Sequence, residues 1–277
     1  MTDSTGRSDN LNSSSTELPE DTRPFVAPCI KLSKDAPIRW LKLGWHDFQN
    51  TGGLSFAYGM VMVLIGVLVS WSSWQAHSFV LAIALVGGFF FVGPVIAIGL
   101  YSMSRQLEVG MKPEFIRCLR ASRKRLANMM ILSFVFLVVF LIWARAASMV
   151  HVFFPSTGEV SIRDLGVFLG VGTTIGALFA SIVFCVGAFS IPMLLDRKVD
   201  PVTAVISSIN AVLHNKLIML YWALLIVTGI LLGILAGFIG LAVSLPVIGH
   251  ASWHAYREVI NAEAWERSPG IGKLGNN

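Results

Sequence analysis

The chain has 277 residues, 55% of them hydrophobic and 13% charged, with a mean hydropathy of +0.70. Soluble domains carry about 25% charged residues, so this composition excludes an ordinary water-soluble globule. Its near-continuous apolar runs also exclude a β-barrel, whose strands alternate. The net charge of +5 does not point to nucleic acid, because the basic residues cluster beside apolar runs, where they set orientation and meet anionic headgroups.

Residues 1–35 are rich in Ser, Thr, Asn, Asp and Glu, and no apolar region follows a basic start there. They read as a disordered cytoplasmic tail rather than a signal peptide. From Pro37 to Asn50 the spacing of Trp40, Leu41, Leu43, Gly44, Trp45 and Phe48 predicts an amphipathic helix at the membrane surface. Asn50-Thr-Gly-Gly53 breaks it, and spans follow over about 54–74 and 78–101, joined at Gln75-Ala-His77.

The same grammar recurs twice. The basic segment Pro113 to Asn128 leads into spans over about 129–149 and 165–195, separated by an outer loop at 151–164. Pro201 to Asn215 leads into Leu217 to Gly249, which is long for one span and short for two. Two spans, turning at Ala236-Gly237, put 19 of the 21 Lys and Arg on the cytoplasmic side and leave only Arg145 and Arg163 toward the exterior. The predicted fold is therefore all-α: a bundle of six transmembrane helices built from three repeats of surface amphipathic helix plus transmembrane hairpin. The repeats cover about 36–104, 112–198 and 200–262 of a membrane domain at 36–262, and 263–277 is a flexible cytoplasmic tail. Both termini are expected in the cytoplasm.

Small residues recur at four-residue spacing at Gly166/Gly170, Gly172/Gly176 and Gly229/Gly233/Gly237, a pattern that lets helix backbones approach closely in lipid. Packing within the bundle is the expectation, with a homodimer face as the alternative. The i, i+3 pair Arg105 and Glu108, and Asp196 with Arg197 at the equivalent place in the second unit, read as clamps that seat each surface helix on its hairpin. His250 and His254 share a helix face, and His46 and His214 fall at the same membrane side. These four are the candidate ligands for a metal, Cu or Zn, or for a haem. The plainer reading is that each imidazole satisfies a carbonyl or headgroup, with no cofactor.

No phosphate loop, His-Glu-x-x-His or Gly-x-Ser-x-Gly occurs, and no Asp or Glu lies in the middle of a span. A non-enzymatic scaffold, accessory or assembly protein is the first expectation. It has the lipid bilayer and its anionic headgroups as partners, with room for a membrane-protein partner or homo-oligomer. A small-solute transporter or channel is the second, and it requires Thr173, Thr174, Ser181, Ser190 and Thr228 to converge on a cavity.

Three stretches carry a family resemblance: Leu43-Gly-Trp-His-Asp47; Gly93 to Tyr101 continuing through Ser104-Arg-Gln-Leu-Glu108 to Gly110; and Gly249-His-Ala-Ser-Trp-His-Ala-Tyr-Arg257. Over about residues 30–262 the chain resembles bacterial integral membrane proteins grouped as a domain of unknown function, some labelled putative cytochrome c oxidase. The resemblance implies a polytopic membrane protein and an accessory or assembly role beside a respiratory complex. The His-Pro-Glu-Val-Tyr copper signature is absent, so the catalytic oxidase subunit is not expected.

Overall fold

The structure is a computed structural model that describes residues 24–51, 53–77, 79–153 and 161–268. Among these residues it is all-helical: α1 (Ala36–Asn50), α2 (Leu54–Ala76), α3 (Phe79–Glu108), α4 (Phe115–Phe153), α5 (Ile162–Asp196), α6 (Pro201–His214), α7 (Lys216–Leu235) and α8 (Leu241–Val259). Among the described residues, four stretches are long and apolar enough to cross a membrane: Leu54–Ser72, Leu126–Met149, Ile162–Asp196 and Lys216–Leu235.

Leu217 to Gly249 forms two helices rather than one. Gly237 (φ 74°) and Phe238 (φ 66°) take left-handed conformations, which glycine adopts without strain and which reverse the chain. α7 and α8 then run antiparallel in close contact, since a Cβ on Gly229 would touch Ile248 and one on Gly233 would meet Leu241 and Ser244. That glycine row packs within the bundle, as expected. The α5 row does not: Gly166, Gly170, Gly172 and Gly176 have nothing within 4 Å of an added Cβ.

The second repeat departs from the predicted plan. Its surface helix and its span are one 39-residue helix, α4, about 58 Å long at 1.5 Å per residue. The first unit breaks at Thr51 and the left-handed Gly53 (φ 85°), and the third at Asn215 (φ −116°, ψ 37°). Asn128 is followed by Met-Met-Ile-Leu, which contains neither glycine nor proline, so nothing stops the helix there. The side chains of Arg120, Arg123, Lys124 and Arg125 lie outside the description, as do residues 154–160 of the outer loop.

The tails also differ from expectation. Residues 24–35, expected as the end of a disordered tail, form a strap across α6 and the end of α8. Ala27 N–H donates to Ser207 Oγ at 2.9 Å, Ile30 N–H to the Val259 carbonyl at 2.9 Å and Leu32 N–H to Asn215 Oδ1 at 3.0 Å. Cys29 and Ile260 make an antiparallel bridge. After α8, in the stretch expected as a flexible tail, Trp265 is buried and Arg197 bridges to Arg267. Residues 1–23 and 269–277 lie outside the described residues.

Each amphipathic helix is seated by its small residues. α6 starts with Asp200 accepting from Thr203 N–H at 2.8 Å and with Pro201 in its first turn. It buries Ala204, Ser207, Ser208 and Ala211. Ser208 enters the hydrogen-bond ladder of α5, donating to the Cys185 carbonyl at 2.7 Å and accepting from Phe189 N–H at 3.1 Å. Pro192, which has no N–H for the Ala188 carbonyl, lies just beyond. On the other side α1 lies against α8, with Gly44 so close that a Cβ would come within 2.6 Å of the Val247 carbonyl oxygen.

Gly59 of α2 makes the same kind of approach to α8, where a Cβ would collide with the Ala242 carbonyl. Gly59→Ala is expected to lower the melting temperature in detergent, because the collision is with backbone that has no rotamer to yield. Gly176→Ala, which meets open space, should leave it unchanged or raise it. Equal effects at the two positions would contradict the close α2–α8 approach.

Candidate functional site

The chemistry of the chain is concentrated where α3, α5 and α8 end together. Each helix C-terminus carries about half a negative charge from its unpaired carbonyls. Into this place the sequence sends Arg105 and Glu108 of α3, Asp196 of α5, Trp253, Tyr256 and Arg257 of α8, and Arg197 and Arg267 from the links that follow α5 and α8.

Asp196 is fully buried and is the hub. Its Oδ1 lies 3.0 Å from Arg267 Nε and 3.5 Å from Arg105 Nε. Its Oδ2 lies 3.1 Å from Arg197 Nε and 3.5 Å from Arg257 Nη1, and accepts the Tyr256 hydroxyl at 3.2 Å. Glu108 takes the other faces of Arg257 and Arg267, both at 3.1 Å, and accepts Trp253 Nε1–H at 3.3 Å. Four guanidinium groups thus meet two carboxylates. The excess of positive charge falls on carbonyls: Arg105 donates to Leu195 O at 3.4 Å and Ser268 O at 2.6 Å, and Arg197 to Trp265 O at 2.9 Å. Partial burial works against the charge on Arg267, but Asp196 and Glu108 more than offset it and hold its guanidinium above the usual range.

The two clamps read from the sequence are therefore one cluster. Arg105 reaches Asp196 rather than Glu108, because they lie on different helices that end side by side. Arg267, Arg257 and Tyr256 were missed as members. The available signal was an acid closing a long apolar run, which needs cations from elsewhere in the chain.

The four candidate histidines do not form a single set. His250 is fully buried, with Nε2 2.7 Å from Ser55 Oγ and Nδ1 2.7 Å from Ser104 Oγ. Ser55 Oγ also points at Met103 Sδ at 3.6 Å. A hydroxyl donating to that sulfur accepts from Nε2–H, which leaves Nδ1 to accept from Ser104. Both nitrogens are then committed and no lone pair faces an open space. His254 Nε2 pairs with Asp47 Oδ2 of α1 at 2.8 Å. His46 is exposed beside Asn50, whose Nδ2 lies 3.1 Å from the ring, and His214 is exposed at the end of α6. Among the described residues no three His, Cys, Asp or Glu side chains are grouped to hold a metal ion. Nothing in their sequence context marks Ser55 and Ser104 as partners, since hydroxyls near helix ends are commonplace.

Within the bundle, a cleft of about 330 Å³ opens between α3, α4, α5, α7 and α8. None of Thr173, Thr174, Ser181, Ser190 or Thr228 lines it. Thr174, Ser181 and Ser190 donate instead to carbonyls one turn back on their own helix, at 2.8, 2.7 and 2.6 Å. The converging polar lining expected of a solute path is thus not formed by these residues.

If Glu108 secures α8 and the C-terminal segment to α3, Glu108→Lys sets a third cation against Arg257 and Arg267. Its thermal stability in detergent should fall clearly below that of Lys112→Glu, a control on the exposed link after α3. Equal stability of wild type and Glu108→Lys would remove Glu108 from the cluster's structural role.

Comparison with known proteins places part of this chain. Residues 80–196 match the family model described as Predicted integral membrane protein (DUF2189). No curated protein and no solved structure matches the chain. The protein is an integral membrane protein, and through residues 80–196 it matches the kind of family its motifs resemble, a membrane domain of unknown function.

Proposed function

We propose that this chain is a non-enzymatic accessory or assembly protein of a bacterial inner membrane, crossing it six times with both termini in the cytoplasm. The observation that carries the reading is that the charges at the helix ends, buried Asp196 and Arg105 among them, are paired within the chain. Asp196, Arg105, Glu108, Arg257 and Arg267 close on one another, and His250 on Ser55 and Ser104. A catalytic or ion-relay group is normally poised toward a cleft with a perturbed environment of its own. These groups instead stiffen one end of the bundle into a plate, to which α1, α6 and the strap at 24–35 are also fixed.

Six crossings are supported by α7, whose 20 residues are about 30 Å long, the thickness of the hydrocarbon core, and by the antiparallel return of α8 beside it. The plate holds Arg39, Arg105, Arg197, Lys198, Arg257 and Arg267, while Arg163 lies at the far end, at the start of α5. That asymmetry favours the plate on the cytoplasmic side. The reading needs no cofactor; a haem or Cu/Zn protein would require His250 and His254 to give up their present partners. A respiratory oxidase as the partner rests on the resemblance alone, and a homo-oligomer is the other partner state.

An accessory protein is expected to leave native membranes in mild detergent as part of a discrete assembly heavier than the 30.2 kDa chain, with the same companion in repeated preparations. Native mass spectrometry reads this directly. Recovery as a single chain under those conditions would count against the accessory role.

A further inference from the structure

We infer that the cleft between α3, α4, α5, α7 and α8 is a binding site for one acyl chain of a bilayer phospholipid. Its walls are Pro94, Phe136, Phe184, Gly187, Trp222 and Ile226 with their apolar neighbours. Only two side-chain hydroxyls line it, those of Tyr101 and Ser252, and Ser252 Oγ donates to the Ile248 carbonyl at 2.8 Å. Nothing in the lining asks a ligand for a charge or a strong polar group, and ordered water needs two to four polar partners. A polar solute is therefore a poor fit, and an apolar one is a good fit.

Size narrows the class. The space is about 330 Å³. The cleft is open rather than enclosed, so in a bilayer the surrounding hydrocarbon has access to it. At roughly the 30 Å³ that a water-sized group takes up in a liquid, it holds on the order of ten methylenes, part of one acyl chain.

Depth and charge complete the argument. Tyr101 and Gly93 lie 7 and 15 residues before Glu108 on α3, about 10 and 22 Å along the axis at 1.5 Å per residue. Trp222 and Ile226 lie about 9 and 15 Å from Lys216, which starts α7 and is exposed. The cleft thus occupies the hydrocarbon half beneath the cationic plate. A lipid whose anionic headgroup sits at the plate has its chain at that depth. The inference does not depend on the accessory role proposed above.

Trp222 provides the test, because it lines the cleft yet is only 2% exposed. A brominated chain in the cleft lies against the wall that Trp222 backs, and the Ala188→Phe control separates that quenching from any by lipid on the outer surface of the bundle. The full chain and Trp222→Phe are reconstituted in phosphatidylglycerol/phosphatidylethanolamine bilayers with plain or dibrominated acyl chains, since bromine quenches indole emission at short range. The difference between the two proteins isolates Trp222. Its emission is expected to lose most of its intensity in brominated lipid, and Ala188→Phe, which fills the cleft, should restore it. If the Trp222 contribution is unchanged while the remaining tryptophans are quenched, the inference is wrong. It is also wrong if a folded Ala188→Phe, judged by an unaltered melting temperature, leaves the quenching intact. Should Ala188→Phe not fold, solvent extraction of the detergent-exchanged wild type decides. Retained phospholipid near one per chain supports the site, and its absence, or another hydrophobe in its place, overturns it.

Discussion

A carboxylate taken out of water must find enough positive charge to replace its hydration, and Asp196 does so at the meeting point of three helices. Removing one member of such a buried set typically costs about 3–5 kcal/mol, because the partners are left uncompensated. Here the partners come from both sides of the carboxylate in sequence, Arg105 before it and Arg257 and Arg267 after it. The cluster therefore fixes which ends of α3, α5 and α8 lie together. In a membrane the apolar effect favours no particular arrangement of spans, so a directional polar set of this kind settles the arrangement.

Around that hub, α8 is the helix to which the others refer. Glycines at positions 44 and 59 let α1 and α2 touch its backbone, Gly233 lets α7 approach the Leu241 amide at its start, and Gly229 makes room for the Ile248 side chain. Glu258 receives Arg39 at 2.6 Å and Trp40 Nε1–H at 2.9 Å. His254 holds Asp47, and His250 joins α2 and α3 through Ser55 and Ser104. Trp40 packs edge-on against Trp222 with centroids 5.6 Å apart, which carries the contact from α1 across to α7 and the wall of the apolar cleft. The residues between Gly249 and Arg257, prominent in the sequence for two histidines, act as a hydrogen-bonding face that organises the interior.

Much of the helical order was legible because lipid makes it so: long apolar runs become helices, and breaks need glycine or asparagine. Asn50-Thr-Gly-Gly53 and Ala236-Gly237 announced their turns. The absence of such residues after Asn128 was equally plain, yet repeat symmetry suggested a break where the local chain offers none. The strap at 24–35 was hidden because its fixing is almost all backbone hydrogen bonding to Ser207, Asn215 and Val259, which leaves no mark in composition. Asp196 and Glu108 were visible as charged groups at helix ends, but not as one cluster. Partners separated by up to 163 residues, as Arg105 and the Ser268 carbonyl are, meet only through the fold.

The most direct test of this account is hydrogen exchange on Asp196→Asn against wild type in the same detergent. With the hub neutralised, Arg105, Arg197, Arg257 and Arg267 lose their shared anion. Protection should then fall together over residues 24–35, 197–200 and 260–268, while amides within the apolar stretches of α2 and α7 keep theirs. Unchanged protection across those three segments would contradict the claim that Asp196 holds this end of the molecule together.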